Sequence, residues 1–146
     1  MNTEADERIT LLVDNSNTRT KFMRARGEEL LPGLKMLPTA ELTPEKLRLL
    51  LQDWSYGRAV VCSVVPAARQ AIAEGVEAPV ELMGADSSLN IQLDYPEPET
   101  LGADRIANAA AAAARCPLPC VAVIWERPQP LMWWCPGSRC PVSSAG

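Results

Sequence analysis

A continuous apolar run that ends abruptly in turn-forming residues is the feature that most constrains how this chain folds. Residues 9–13 read ITLLV, and residues 14–17 read DNSN. Unbroken apolar runs of this length are typical of central strands buried on both faces of a sheet, whereas Asp, Asn and Ser favour turns. Because a second strand is expected over residues 20–26, the segment predicts a hairpin with a polar turn.

Strand and helix patterns alternate along the rest of the chain. Helices are predicted where apolar residues recur at helical spacing after a capping threonine or a first-turn proline. The predicted strands are residues 30–37, 59–65, 79–83, 89–93 and 120–124, and the predicted helices are residues 45–54, 66–74 and 103–115. Pro32 and Gly33 are expected to interrupt the third strand, and Gly75 to cap the second helix. This order predicts an α/β fold with a mixed sheet flanked by helices.

The bulk composition argues against several classes of function. A net charge of -4 leaves no basic surplus for a nucleic-acid backbone. The longest small-apolar run, residues 109–114, is far shorter than the roughly 20 residues that span a bilayer. The chain has no histidine, so carboxylates must carry any acid-base chemistry. An odd number of cysteines without a secretory signal indicates reduced thiols and a cytoplasmic location.

The first polar cluster is the turn between the first two predicted strands. Its members are Asp14, Asn15, Ser16, Asn17, Thr18, Arg19, Thr20 and Lys21. Backbone amides and polar side chains in such a turn can donate to phosphate oxygens, the aspartate can orient a cation, and the lysine adds positive charge. An ordinary polar hairpin turn with an Asx cap explains the same residues.

The second polar cluster opens the alanine-rich helix and consists of Gly102, Ala103, Asp104 and Arg105. Asp104 can accept a proton from a substrate hydroxyl, and Arg105 can pair with a phosphate or a carboxylate. The helix dipole alone also favours a carboxylate in a first helical turn. Spacing by itself does not decide between the two explanations.

Taken together and in this order, the motifs resemble those of type III pantothenate kinases, which are actin-like phosphotransferases. The resemblance is carried by the first strand with DNSNTRTKF, by CSVVP at residues 62–66, by Tyr95, and by GADRIANAAAA from Gly102. It implies a ribonuclease-H-like, actin-like ATPase domain over residues 1–123. The family usually has glycine where this chain has Ser16, and the serine is expected to constrict the phosphate site.

The resemblance implies ATP-dependent phosphorylation of pantothenate, the first step of coenzyme A biosynthesis. The ATP phosphates would lie at residues 14–21, pantothenate at Tyr95 and residues 102–105, and Asp104 would be the catalytic base. The family also implies Mg²⁺ with ATP, an activating monovalent cation (K⁺ or NH₄⁺) and a homodimer. The aspartate that holds the monovalent cation is expected to be missing from this chain, and no metal ligand is assigned.

The composition changes abruptly after Val123, where most of the tryptophans lie without a helical or strand period. The family continues here with a second phosphate motif resembling DFGTATTFDVV. Tryptophan and methionine each have a single codon, so they fix bases of the neighbouring reading frame. In the frame that starts at the last base of the Val123 codon, the bases of residues 125–126 must encode Gly. The bases of residues 132–135 must encode Val three times. The other codons permit DLGTATTFDVVV. We therefore interpret residues 124–146 as a non-native, frame-shifted tail.

A chain cut short in this way is expected to show no measurable pantothenate phosphorylation, because the nucleotide of such enzymes lies in a cleft between two domains.

Two further interpretations are a non-catalytic regulatory accessory factor of the same family and a structural fragment that dimerises through its alanine-rich helix. The presence of Asp104 argues against the regulator, which has no need of it. Cys135 and Cys140 are too few to predict a metal site.

Overall fold

The structure, a computed structural model, describes the backbone of residues 8–125, 130–135 and 139–143 and the side chains of residues 8–122. The chain divides into two compact units, Met1–Met83 and Gly84–Gly146. In the part of the chain that is described, no helix is long and apolar enough to cross a membrane.

The first unit is built on a five-stranded sheet with the strand order β3-β2-β1-β4-β5. Its strands are β1 (Ile9–Asn15), β2 (Arg19–Arg26), β3 (Glu29–Pro38), β4 (Arg58–Ser63) and β5 (Val80–Leu82). The first three strands are antiparallel neighbours, whereas β4 runs parallel to β1 and β5 runs parallel to β4. The mixed sheet that the sequence predicts is therefore confirmed.

Two helices, α1 (Pro44–Leu51) and α2 (Pro66–Gly75), pack against this sheet. Each begins with a proline, whose fixed φ suits the first helical turn. Thr43 caps α1, as predicted, with its hydroxyl oxygen accepting the Lys46 N–H at 3.3 Å. These start signals lie in the local sequence, which is why both helices were predictable.

The core of the first unit lies between the helices and one face of the sheet. The alternating residues Leu11 and Val13 of β1 are buried there with Phe22 of β2, and Leu47 and Ile72 reach them from the helices. Full burial of one such side chain stabilises the fold by about 1.5–3 kcal/mol. The apolar run predicts burial on both faces of β1, but on the opposite face Leu12 is half-buried and Asp14 is exposed.

β3 is one of the two edge strands of this sheet, and it contains the interruption that the sequence predicts. The pairing of β2 with β3 shifts in register between Phe22 and Arg24. Gly33 has a φ of 102°, a backbone conformation that side chains with a Cβ rarely adopt. The Pro32-Gly33 pair therefore forms a bulge within a strand that continues on both sides of it.

The first helix ends at Leu51, earlier than the predicted end at Trp54. Trp54 instead lies against the β3 bulge, where a Cβ on Gly33 would come within 3.3 Å of the indole. Arg24 and Lys35 lie over the ring at 4.6 and 4.7 Å from its centroid. Cation–π and packing contacts with distant strands thus take Trp54 out of the helical pattern.

Gly75 ends α2 for a different reason from the predicted cap. It is the last helical residue, and Val76 is the cap. A Cβ on Gly75 would lie 2.8 Å from Leu47 Cδ2 and 3.1 Å from Pro44 Cα. The glycine is therefore required by the close approach of α1.

Replacing Gly75 by alanine is expected to lower the free energy of unfolding by about 1–3 kcal/mol, the usual cost of overpacking a core. Ala73→Ser, at an exposed position of the same helix, is the control and is expected to change that free energy by less than about 0.5 kcal/mol. Urea unfolding followed by tryptophan fluorescence measures both variants. Wild-type stability in Gly75→Ala would contradict the close packing of the two helices.

The second unit contains α3 (Ala103–Arg115) and a four-stranded sheet with the order β6-β9-β8-β7. Its strands are β6 (Gln92–Asp94), β7 (Cys120–Trp125), β8 (Pro130–Cys135) and β9 (Arg139–Ser143). The bounds of α3 match the prediction, whereas β6 begins later than the strand predicted over residues 89–93. No strand period is evident after Val123, yet β8 pairs with β7 and with β9 there. The predicted domain boundary at residue 123 stays a prediction.

Candidate phosphate and acceptor sites

The predicted phosphate turn joins β1 to β2 at the end of the central strand. Asp14 and Asn15 end β1, and Arg19 begins β2. The N–H of Ser16 donates to the carbonyl of Arg19 at 3.1 Å, and the Ser16 hydroxyl donates to the same oxygen at 2.9 Å. These two bonds close the turn across its base and leave residues 17 and 18 at its tip.

Three buried polar side chains support the turn from inside the fold. Asn15, Thr20 and Ser63 are 1%, 0% and 3% exposed. The Asn15 side-chain amide donates to Thr20 Oγ1 at 2.8 Å, and the Ser63 hydroxyl donates to Asn15 Oδ1 at 2.6 Å. The network ties β1 to β2 and β4 at the point where the turn begins. The assignment of Asn15 and Thr20 as phosphate-binding residues stays a prediction.

The remaining predicted residues of the turn are accessible to a ligand. Asn17, Thr18 and Arg19 are exposed, and Lys21 Nζ lies 3.2 Å from Asp14 Oδ2, with the side chains 47% and 52% exposed. Exposed ion pairs of this kind contribute only about 0–1 kcal/mol. A phosphate group can therefore draw the lysine away from the aspartate at little cost.

Ser16 occupies the position where the related motif usually has glycine. Among the described residues, only glycines have a positive φ, so the turn does not need glycine for its backbone conformation. The Ser16 side chain is half-buried, and its hydroxyl is engaged within the turn. The predicted constriction of the phosphate site stays a prediction.

One residue of the turn, Asp14, has a side chain that suits a divalent cation. Asp14 is an exposed carboxylate, and Mg²⁺ in phosphoryl-transfer sites is held by one or two carboxylates together with substrate phosphates. Within the described residues, no group of three or more His, Cys, Asp or Glu forms a metal cluster of its own. The side chains of Cys135 and Cys140 lie outside the described ones.

The second predicted cluster lies at the start of α3. The Gly102 carbonyl accepts the N–H groups of Arg105 and Ile106 at 3.0 and 3.2 Å and so begins the helix. Asp104 lies in the first turn, where the partial positive charge of the helix terminus stabilises a carboxylate. Ala103 is buried, whereas Asp104 and Arg105 are half-buried. Their two charged groups are therefore partly accessible to a ligand.

Tyr95, the other residue predicted to bind pantothenate, follows β6 in the same unit. Its side chain is half-buried. Its predicted role, like those of the residues at the start of α3, stays a prediction.

Two residues that hold the turn were not predicted as part of the site. Ser63 lies in the CSVVP stretch, so the sequence did contain a signal for it. Thr39 follows β3 and donates from its hydroxyl to the Ser16 carbonyl at 2.7 Å. Nothing in the sequence around Thr39 indicates this contact, because pairing between β2 and β3 brings it to the turn.

Comparison with known proteins gives one consistent family. The family model described as type III pantothenate kinase matches residues 10–125. Curated relatives that carry this name include a protein of Akkermansia muciniphila, 47% identical over 77% of this chain and 47% of its own length. A second relative, from Methylacidiphilum infernorum, is 32% identical over 77% of this chain and 41% of its own length. A third, from Chlorobaculum parvum, is 35% identical over 70% of this chain and 41% of its own length.

The chain spans about half the length of the curated relatives it matches. The mixed sheet with helices packed on it agrees with the actin-like fold implied by the sequence motifs. With a family match that covers residues 10–125, the chain belongs to the type III pantothenate kinase family.

Proposed function

We propose that this chain supplies the ATP-phosphate turn and the acceptor carboxylate of a pantothenate kinase of coenzyme A biosynthesis. In the reaction a hydroxyl oxygen of pantothenate attacks the γ-phosphorus of ATP, the bond to the bridging oxygen breaks, and ADP leaves. The observation that carries the proposal is the exposed turn tip at residues 17 and 18, which stands on a buried and hydrogen-bonded base.

The charges around the turn support phosphate binding. Arg19 and Lys21 are exposed cations beside the turn tip in a chain whose net charge is -4. Charge-assisted hydrogen bonds to phosphate are stronger than neutral ones. When ATP binds, Lys21 exchanges Asp14 for a phosphate oxygen. Asp14 is the residue that would hold the accompanying Mg²⁺, an ion that neutralises phosphate charge when bound.

The start of α3 supports the acceptor half of the proposal. Asp104 accepts the proton that pantothenate loses as its hydroxyl oxygen attacks, a role that depends on position as much as on basicity. Arg105 pairs with the carboxylate of pantothenate. Tyr95 and residues 102 and 103 complete the pocket, as the family resemblance implies. The monovalent cation and the homodimer also rest on that resemblance, whereas the cytoplasmic location rests on the odd number of cysteines.

We also propose that residues 1–123 are the native ATPase domain and that residues 124–146 are read in a shifted frame. The family match ends at residue 125, close to the expected boundary. The forced Gly and Val residues of the alternative frame fall where the family's second phosphate motif has them. Inspection of the coding DNA tests this proposal, because codons unable to encode DLGTATTFDVVV in the shifted frame would rule it out.

A thermal-shift titration tests the phosphate site. ATP with Mg²⁺, at about ten times its dissociation constant, is expected to raise the melting temperature by about 2–6 °C. Lys21→Met is expected to lose most of that rise. Lys46→Met is the matched control, because Lys46 forms a similarly exposed ion pair, with Glu41 at 3.0 Å, and the ion pair includes no residue of the turn. An absent rise in the wild-type chain, or an equal rise in Lys21→Met, would contradict the proposed site.

A further inference from the structure

Thr39 lies outside every recognised motif, yet it makes two hydrogen bonds to the phosphate turn. It begins the short 3-10 helix Thr39–Glu41, directly after β3. Its N–H donates to the Thr18 carbonyl at 3.0 Å, and its hydroxyl donates to the Ser16 carbonyl at 2.7 Å. One residue thus holds two of the carbonyl groups of the turn.

These bonds decide which way the peptide N–H groups of the turn face. In a planar trans peptide the carbonyl of one residue and the N–H of the next point in opposite directions. With the Ser16 and Thr18 carbonyls held towards Thr39, the N–H groups of Asn17 and Arg19 face away from it. Asn17 is exposed, and no hydrogen bond of this residue is found within the described part of the chain.

Outward backbone N–H groups in a turn are donors that bind phosphate oxygens. If the Ser16 carbonyl lost its donor, its peptide plane could rotate and present an oxygen instead of an N–H to the ligand. An oxygen there repels phosphate. The hydroxyl of Thr39 therefore acts on binding through the orientation of the Asn17 N–H, without touching the ligand.

The Thr39 hydroxyl is itself held in place. Its Oγ1 lies 3.1 Å from Thr20 Oγ1, and Thr20 continues the buried chain of hydrogen bonds to Asn15 and Ser63. Because this series of hydrogen bonds links β1, β2 and β4, the Thr39 hydroxyl has little freedom to move with the Ser16 peptide if that peptide rotates. The result is a rigid support on the inner side of the turn.

We propose that Thr39 is a positioning residue for phosphate binding, an inference that rests on the proposed function of the turn. Its hydroxyl orients the peptide between Ser16 and Asn17 so that the N–H faces the phosphates. The residue belongs to the site although it lies far from the turn in sequence.

The test compares Thr39→Val, which removes the hydroxyl at nearly constant volume, with Thr39→Ser, which retains it. Inorganic tripolyphosphate is the probe, and its affinity for the full chain is measured by titration calorimetry. Thr39→Val is expected to bind tripolyphosphate about tenfold more weakly, because it loses one correctly oriented donor to a charged group. Thr39→Ser is expected to stay within about threefold of the wild type.

A control separates positioning from general stability. Thr10→Val removes the hydroxyl of a buried threonine at the other end of β1, one that accepts from Arg58 Nε at 3.0 Å. It is expected to lower stability as Thr39→Val does and to leave tripolyphosphate affinity unchanged. Thr39→Ala replaces the valine variant if that variant does not fold.

The outcomes distinguish this inference from the function on which it rests. Wild-type affinity in Thr39→Val, or an equal loss in Thr39→Ser, would overturn the positioning role while leaving the phosphate site intact. Failure of the wild-type chain to bind tripolyphosphate would overturn the phosphate site, and the positioning role with it. Loss in Thr39→Val with rescue in Thr39→Ser supports both.

Discussion

Replacing Asn15 by leucine is expected to lower the free energy of unfolding by about 2–4 kcal/mol. Asn15 is 1% exposed, and its side chain both donates to Thr20 and accepts from Ser63. Leucine is close in size but offers neither group, so both hydroxyls lose a partner within the core. Each unsatisfied buried polar group costs about 1–3 kcal/mol. Urea unfolding monitored by far-UV circular dichroism measures the change.

The same substitution at Asn17 is the matched control. Asn17 is exposed at the tip of the turn, and Asn17→Leu is expected to change stability by less than about 0.5 kcal/mol. Asn17→Leu is instead expected to affect phosphate binding, because Asn17 lies at the tip of the turn. Equal stability of the two variants would show that the buried network does not hold the turn.

The chain by itself is expected to form no phosphopantothenate from ATP and pantothenate. It spans about half the length of its curated relatives, and phosphoryl transfer depends almost entirely on positioning both substrates and stabilising charge. One phosphate turn and one acceptor carboxylate are not expected to position both substrates without the rest of such an enzyme. A coupled assay for ADP, with mass detection of phosphopantothenate, measures the activity.

Asp104→Asn is the control for that assay. Any phosphopantothenate formed by a contaminating kinase will persist in this variant, because the contaminant does not depend on Asp104. Product that needs both substrates, and that disappears in Asp104→Asn, would contradict the expected inactivity. It would at the same time support Asp104 as the base.

The parts of the fold that were predicted correctly carry their signals locally. α3 has the predicted bounds, residues 103–115, because Gly102 precedes the helix and a run of alanines fills its second half. Thr43 and the following proline mark the start of α1. The apolar run at residues 9–13 marks β1, although the strand extends two residues beyond the run, to Asn15.

What was not predicted depends on contacts between distant segments. The end of α1 at Leu51 follows from the packing of Trp54 against Gly33, and helical periodicity holds no information on that contact. β6 is short and largely exposed, so it shows little of the alternation that marks a strand. The contacts of Thr39 follow from strand pairing, since the antiparallel pairing of β3 with β2 places Pro38 opposite Arg19 and so brings Thr39 to the turn.

Amide resonance mapping of the isotope-labelled chain during titration with ATP and Mg²⁺ tests the central claim most directly. We expect saturable shifts concentrated on the backbone amides of residues 16–19, with the Asn17 N–H among the largest. Saturable shifts confined to other parts of the chain, or no saturable shift at all, would contradict a phosphate-binding turn between β1 and β2.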